Sequence, residues 1–178
     1  MSQLEIIPDI FTADYVGQPG QRSFFLQARS SETTYSFVLE KQQVAVLAEK
    51  LRELLLLVDT EDTIKTAPPE RDPALALQQP LEPEWRVGTM GLAYEESPDR
   101  VIVLAQPVVP ETEETEEIEE PDEDEGIRFL LRRDQVRSFV LHAGAIIGEG
   151  RPTCQLCGLP MDPTGHACPA SNGHRKLG

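Results

Sequence analysis

Apolar and polar positions first alternate and then recur at helical spacing, and this sequence of events happens twice along the chain. A strand is expected near residues 6–16, followed by a turn at Gly17-Gln18-Pro19-Gly20 and strands near 22–29 and 33–40. Phe24, Leu26 and Ala28 alternate with more polar neighbours, as do Tyr35, Phe37 and Leu39, the period of a half-buried strand. From Lys41 the period changes. Val44, Leu47, Leu51, Leu54, Leu55 and Val58 recur three and four apart, which predicts an amphipathic helix. Further strands are expected near 84–94, 100–109 and 126–132. A second helix follows, starting at Asp134 as N-cap, burying Val136, Phe139, Val140, Ala143 and Ile147, and ending at Gly148 and Gly150.

The two halves resemble each other. Residues 38–48, VLEKQQVAVLA, and 130–140, LLRRDQVRSFV, both leave an apolar strand, cross charged residues, show Gln-Val and enter a helical stripe. Upstream, QRSFFLQA (21–28) lies beside DRVIVLAQ (99–106) more loosely. Two strand–strand–strand–helix units are therefore expected, at 1–58 and 84–150. The class is α+β: an antiparallel sheet with two helices on one face, which buries both stripes. Residues 59–83 carry five of the fifteen prolines and read as a linker.

Charge changes the picture at one place. Of 31 acidic residues, eleven lie in residues 111–125, ETEETEEIEEPDEDE, with no base among them. A block that repels itself and has nothing to bury is expected to be a solvated, disordered loop, inserted between two strands. The formal charge of −15 opposes nucleic-acid binding, which needs attraction for a phosphate backbone. Arg128, Arg132, Arg133 and Arg137, with Arg151, Arg175 and Lys176, leave a local basic surface as a conceivable exception. The apolar run Leu54–Val58 is far short of a membrane span, and residues 1–10 lack a basic-then-apolar signal pattern. A soluble, cytoplasmic protein without membrane contact is expected.

The clearest chemistry is C-terminal, in residues 151–178. All three cysteines and two of the three histidines fall in CQLCGLPMDPTGHACPASNGH, residues 154–174. Cys154-x-x-Cys157 followed by Gly158 aims two sulfurs at one point. His166-x-Cys168 follows after eight residues. Three thiolates and an imidazole suit tetrahedral Zn2+, and in a loop this rich in Pro and Gly, which cannot form its own core, a metal would replace that missing core. The fourth ligand is His166, in a compact second knuckle, with His174 as the alternative. A disulfide would leave one cysteine over, and a redox pair would open a helix. Asp162 is the one acid in the knuckle and sits before a proline, so the zinc reads as structural rather than catalytic.

Two of these stretches carry a family resemblance. Residues 152–173 (PTCQLCGLPMDPTGHACPASNG) and residues 17–28 (GQPGQRSFFLQA) resemble the signatures of a bacterial family, DUF3090. The resemblance spans almost the whole chain, with the acidic loop as a variable insertion. It implies a cytosolic role and no particular reaction.

Other candidates are weaker. Gln21 and Arg22 beside the 17–20 turn are candidates for an anion contact, although Pro-Gly is also ordinary type II turn chemistry. Gly88-Thr89-Met90-Gly91 lacks the lysine and spacing of a phosphate loop. His142 falls beside its helix stripe and reads as a polar-face residue. No Ser-His-Asp set assembles. The function expected is a non-catalytic, zinc-binding interaction or adaptor module with a protein partner. A zinc hydrolase or phosphate-handling enzyme is the alternative, and a nucleic-acid module the third.

Overall fold

The computed structural model describes residues 4–18, 20–31, 33–59, 64, 67–108 and 126–148. The acidic loop 111–125 and the cysteine-bearing tail 151–178 lie outside the described residues.

The elements in chain order are β1 (Leu4–Ile6), β2 (Ile10–Val16), β3 (Ser23–Arg29), β4 (Thr34–Leu39) and α1 (Lys41–Val58). After a single 3-10 turn at Pro73–Leu75 come β5 (Pro83–Glu95), β6 (Arg100–Pro107), β7 (Ile127–Leu131) and α2 (Arg133–Gly148). The class is α+β, with a seven-stranded sheet in the order β1-β7-β6-β5-β4-β3-β2. The expected strands and helices are present, but the sheet is mixed. The meanders β2-β3-β4 and β5-β6-β7 are antiparallel inside, while β4 runs parallel to β5 and β1 parallel to β7.

Those two parallel pairings have one origin. Strand β5 lies beside β4 over Pro83–Arg86 and then beside β6 from Val87 onward, with a register irregularity between Val87 and Thr89. Gly88 stands at that irregularity, where a Cβ would come within 2.9 Å of the Pro107 carbonyl oxygen. The first half repeats the manoeuvre with a break. β1 pairs with β7, residues 7–9 turn, and β2 pairs with β3. β1 and β2 stand at opposite ends of the strand order, yet four peptide units join Ile6 to Ile10, a reach of about 14 Å. One end of each edge strand is therefore held near the other. The lone strand expected over 6–16 is in fact two, because it has to serve two neighbours.

The Gln-Val element of the repeat now has a physical meaning. Gln43 Oε1 accepts from the Glu40 N–H at 2.8 Å, and Gln135 Oε1 accepts from the Arg132 N–H at 2.9 Å. Each side chain occupies an otherwise orphaned donor just before its helix. The amide nitrogens reach onward: Gln43 Nε2 donates to the carbonyls of Val87 and Gly88, and Gln135 Nε2 to those of Pro8 and Asp9. Each glutamine thus ties a helix start to the point where a strand changes partner. The valines that follow, Val44 and Val136, are buried. Helix α2 begins one residue before the expected Asp134, which sits in its first turn and pairs with Arg132 at 3.0 Å. Gln135→Ala and Gln43→Ala are each expected to lower stability by about 1–2 kcal/mol, measured by urea unfolding.

The core is formed by the inward rows of both meanders and the facing stripes of the helices. Phe11, Phe37, Phe129 and Phe139 are its largest members, each at most 1% exposed. Phe11 lies 5.2 Å from Phe129 and 5.1 Å from Phe139 between ring centroids, and Phe37 lies 4.6 Å from Trp85. The α2 stripe ends on Ile146 rather than Ile147, which is only partly buried.

Residues 67–82, expected as part of a linker, run beside α2 at Pro69–Asp72 and then across the outer face of β2–β4. Leu75 is buried there. Thr12, Gln27 and Ser36 stand opposite one another across three strands, and all three are buried. The strap meets their polarity: Thr12 Oγ1 donates to the Leu75 carbonyl at 2.6 Å, and Gln27 exchanges two bonds with the backbone of Gln78. Burying a hydroxyl and an amide without such partners would cost several kcal/mol.

Candidate functional site

The most concentrated polar chemistry among the described residues joins β2, the strap and α2. Asp14 and His142 are 3% and 1% exposed. His142 Nδ1 accepts from the Asp72 backbone N–H at 3.0 Å, so that nitrogen carries no proton. The other ring nitrogen, Nε2, is then the protonated one and donates to Asp14 Oδ2 at 3.0 Å. Asp14 Oδ1 accepts from the Tyr15 N–H at 2.8 Å and from Arg71 Nη2 at 3.3 Å. The carboxylate is held by three donors from three segments.

His142 is therefore not the polar-face residue expected. It falls three residues after Phe139 and four before Ile146, inside the buried stripe. What makes burial tolerable is a carboxylate contributed from 128 positions away.

Tyr15 continues the cluster toward the turn. Arg22 lies over its ring with the guanidinium carbon 4.1 Å from the centroid, and Arg71 approaches the same ring at 5.7 Å. The turn itself is a type II turn in form: Gly20 has φ 90° and the Gln21 N–H donates to the Gln18 carbonyl at 2.8 Å. Gly17 has φ 102°, and a Cβ there would stand 2.4 Å from the Gln21 carbonyl oxygen, so a side chain is excluded.

The basic run on β7 and α2 is laced with acids. Arg128 pairs with Glu5 and Glu95, Arg132 with Asp134, Arg133 with Asp99, and Arg137 with Asp59. The described part of the basic surface conceived from the sequence is thus divided among carboxylates, while Arg151, Arg175 and Lys176 lie outside the described residues. The Tyr94 hydroxyl and Arg133 together hold the Asp99 carboxyl below its usual range, and Arg132 does the same for Asp134.

Of the residues singled out from the sequence, Arg22 is described, on Tyr15. Cys154, Cys157, His166, Cys168 and His174 lie outside the described residues. Among the described residues no cluster of three or more His, Cys, Asp or Glu is arranged to hold a metal ion. No helix among them is long and apolar enough to cross a membrane. Thr12, Gln27, Ser36, Asp14 and His142 were not legible as a group. Their only local trace is that β2 is buried on both faces, which leaves Thr12 and Asp14 as polar residues within a buried run.

The family model described as "Protein of unknown function (DUF3090)" matches residues 6–168. The chain belongs to the DUF3090 family. The match takes in both strand–helix halves of the fold and extends through Cys154, Cys157, His166 and Cys168. No match was found among curated proteins or solved structures. For this DUF3090 chain, the strap and the buried pair therefore stand on their own geometry.

Proposed function

We propose that the protein is a non-catalytic zinc-binding module of the cytoplasm that works by binding a protein partner. The zinc is structural, held by Cys154, Cys157, His166 and Cys168. The observation that carries this reading is the engagement of His142. Both of its ring nitrogens are occupied in the core, which supports a shell whose histidine comes from the tail itself. Three thiolates and one imidazole leave no open position for a reacting water. The buried Asp14–His142 pair has the residue types of an acid–base dyad, but its donors and acceptors are already matched to each other and to backbone, as in a clamp.

The test is X-ray absorption at the zinc edge on the full-length protein, with metal content measured alongside. A shell of three sulfurs and one nitrogen is expected, unchanged by His174→Ala and reduced to three protein ligands by His166→Ala. Cys157→Ser is expected to abolish stoichiometric metal and to open residues 151–178 to proteolysis. Full metal content with undiminished protease resistance would overturn the reading. A shell containing a water oxygen would favour the zinc hydrolase or phosphate-handling alternative, in which Arg22 contacts an anion. The ion pairs along α2 weigh against nucleic acid.

A further inference from the structure

A groove of about 290 Å³ lies between the two helices and the segment that carries Ile64, Ala67 and Pro69, with Glu49 and Arg52 of α1 also on its lining. Ala45 and Ala48 of α1 face Val140, Leu141, Gly144 and Ile147 of α2 across it. Ala45, Leu141, Gly144 and Ile147 are partly exposed, so the seam between the helices is apolar and incompletely covered. Ile64 and Pro69 cover part of the seam, with Pro69 against Gly144, and the groove is the apolar space left beside them.

We infer that the groove is the seat of this chain's own tail, with Leu156, Leu159 and Met161 as the side chains that fill it. The inference rests on the metal-binding reading above and extends it from the metal to the surface on which the metal loop sits. Three observations point to this occupant. The described chain ends at Gly148, immediately after Ile147, which lines the groove. Leu156 is eight residues further on, a reach of up to about 29 Å, whereas the stretch of α2 from Val140 to Ile147 is only about 10 Å long. The family match runs without interruption from the first strand through Cys168, treating fold and tail as one unit.

The chemistry of the tail agrees. A loop of CQLCGLPM composition can satisfy its cysteines with a metal, but it has no partner for two leucines and a methionine. Unbranched methionine and leucine fit a seam of irregular width lined by small residues. A segment tethered this closely faces the groove at an effective concentration in the mM range, above that of most free partners. Docking there places the zinc loop on the helix layer, beside Ala67 and Pro69 at the start of the strap.

The test uses methyl-labelled full-length protein loaded with zinc. Nuclear Overhauser contacts are expected between the Met161 and Leu159 methyl groups and those of Ala45 and Ala48. Ala45→Trp, which fills the groove at a partly exposed helix position, is expected to abolish them and return the Met161 methyl to its unstructured shift. Leu159→Asp with Met161→Asp should do the same without touching the helices. Met161 and Leu159 methyls at unstructured shifts in the unmodified protein, or contacts that survive Ala45→Trp, would overturn the inference. Contacts seen only between differently labelled molecules would also overturn it, in favour of a second copy in the groove. Contacts without bound metal would keep the docking and remove the zinc. A three-sulfur shell without contacts would keep the zinc and remove the docking.

Discussion

His142→Ala is expected to destabilise the protein by about 3 kcal/mol, a large effect for a residue that touches no substrate. Three losses coincide. The imidazole is almost fully enclosed, so its removal leaves a cavity; Asp14 Oδ2 loses a donor; and the Asp72 N–H loses its acceptor. Asp14→Asn sharpens the test because it preserves shape. An amide NH2 turned toward His142 would oppose the Nε2 proton, and the ring cannot escape by moving that proton to Nδ1, where it would meet the Asp72 N–H. Turned the other way, the amide would oppose the Tyr15 N–H and Arg71. A loss of about 2 kcal/mol is expected, and the double variant should fall short of the sum by about 1 kcal/mol or more. Urea unfolding of the four proteins measures this cycle. Additivity, or a loss below about 1 kcal/mol for His142→Ala, would show that the pair is not a unit. Nitrogen shifts of the ring give an independent check: Nε2 protonated and Nδ1 bare.

The second large effect belongs to Phe129. Its ring is fully buried on β7 and meets Phe11 of β2 at 5.2 Å and Phe37 of β4 at 5.8 Å. It is where the two meanders touch across the core. Phe129→Ala should cost about 3–5 kcal/mol, and Phe129→Leu below about 1.5 kcal/mol, because the leucine keeps most of the volume. Phe25→Ala, on the partly buried outer face of β3, is the control and should cost clearly less. Equal losses at positions 25 and 129 would contradict the location of the core.

How much of this was legible beforehand follows from the range over which each feature is determined. The period of Phe24, Leu26 and Ala28, and that of Val44, Leu47 and Leu51, are local signals, and both elements formed where expected. The repeated Gln-Val was visible as a likeness. Its task was not, since the carbonyls that Gln135 reaches lie more than 120 residues earlier. The strap was read from its prolines as a connection. A run of prolines disfavours a continuous ladder strand, but it does not prevent carbonyls such as those of Leu75 and Gln78 from serving buried side chains. The parallel pairings escaped for the same reason as the His142 site: each depends on a partner contributed by the other half of the chain.

The way the two edge strands are joined sets an order of assembly. The first meander and α1 can pair among themselves as soon as residue 58 has been made. Strand β1 cannot: among the described residues its ladder partner is Ile127–Phe129, and the bonds that secure the carbonyls of Pro8 and Asp9 come from Gln135. Closing a loop of more than 120 residues is entropically slow, and the contacts that repay it come last. On a ribosome adding about 5–20 residues per second, β1 waits several seconds for β7. Strand β1 is therefore expected to be seated only after β7 and the start of α2 are in place.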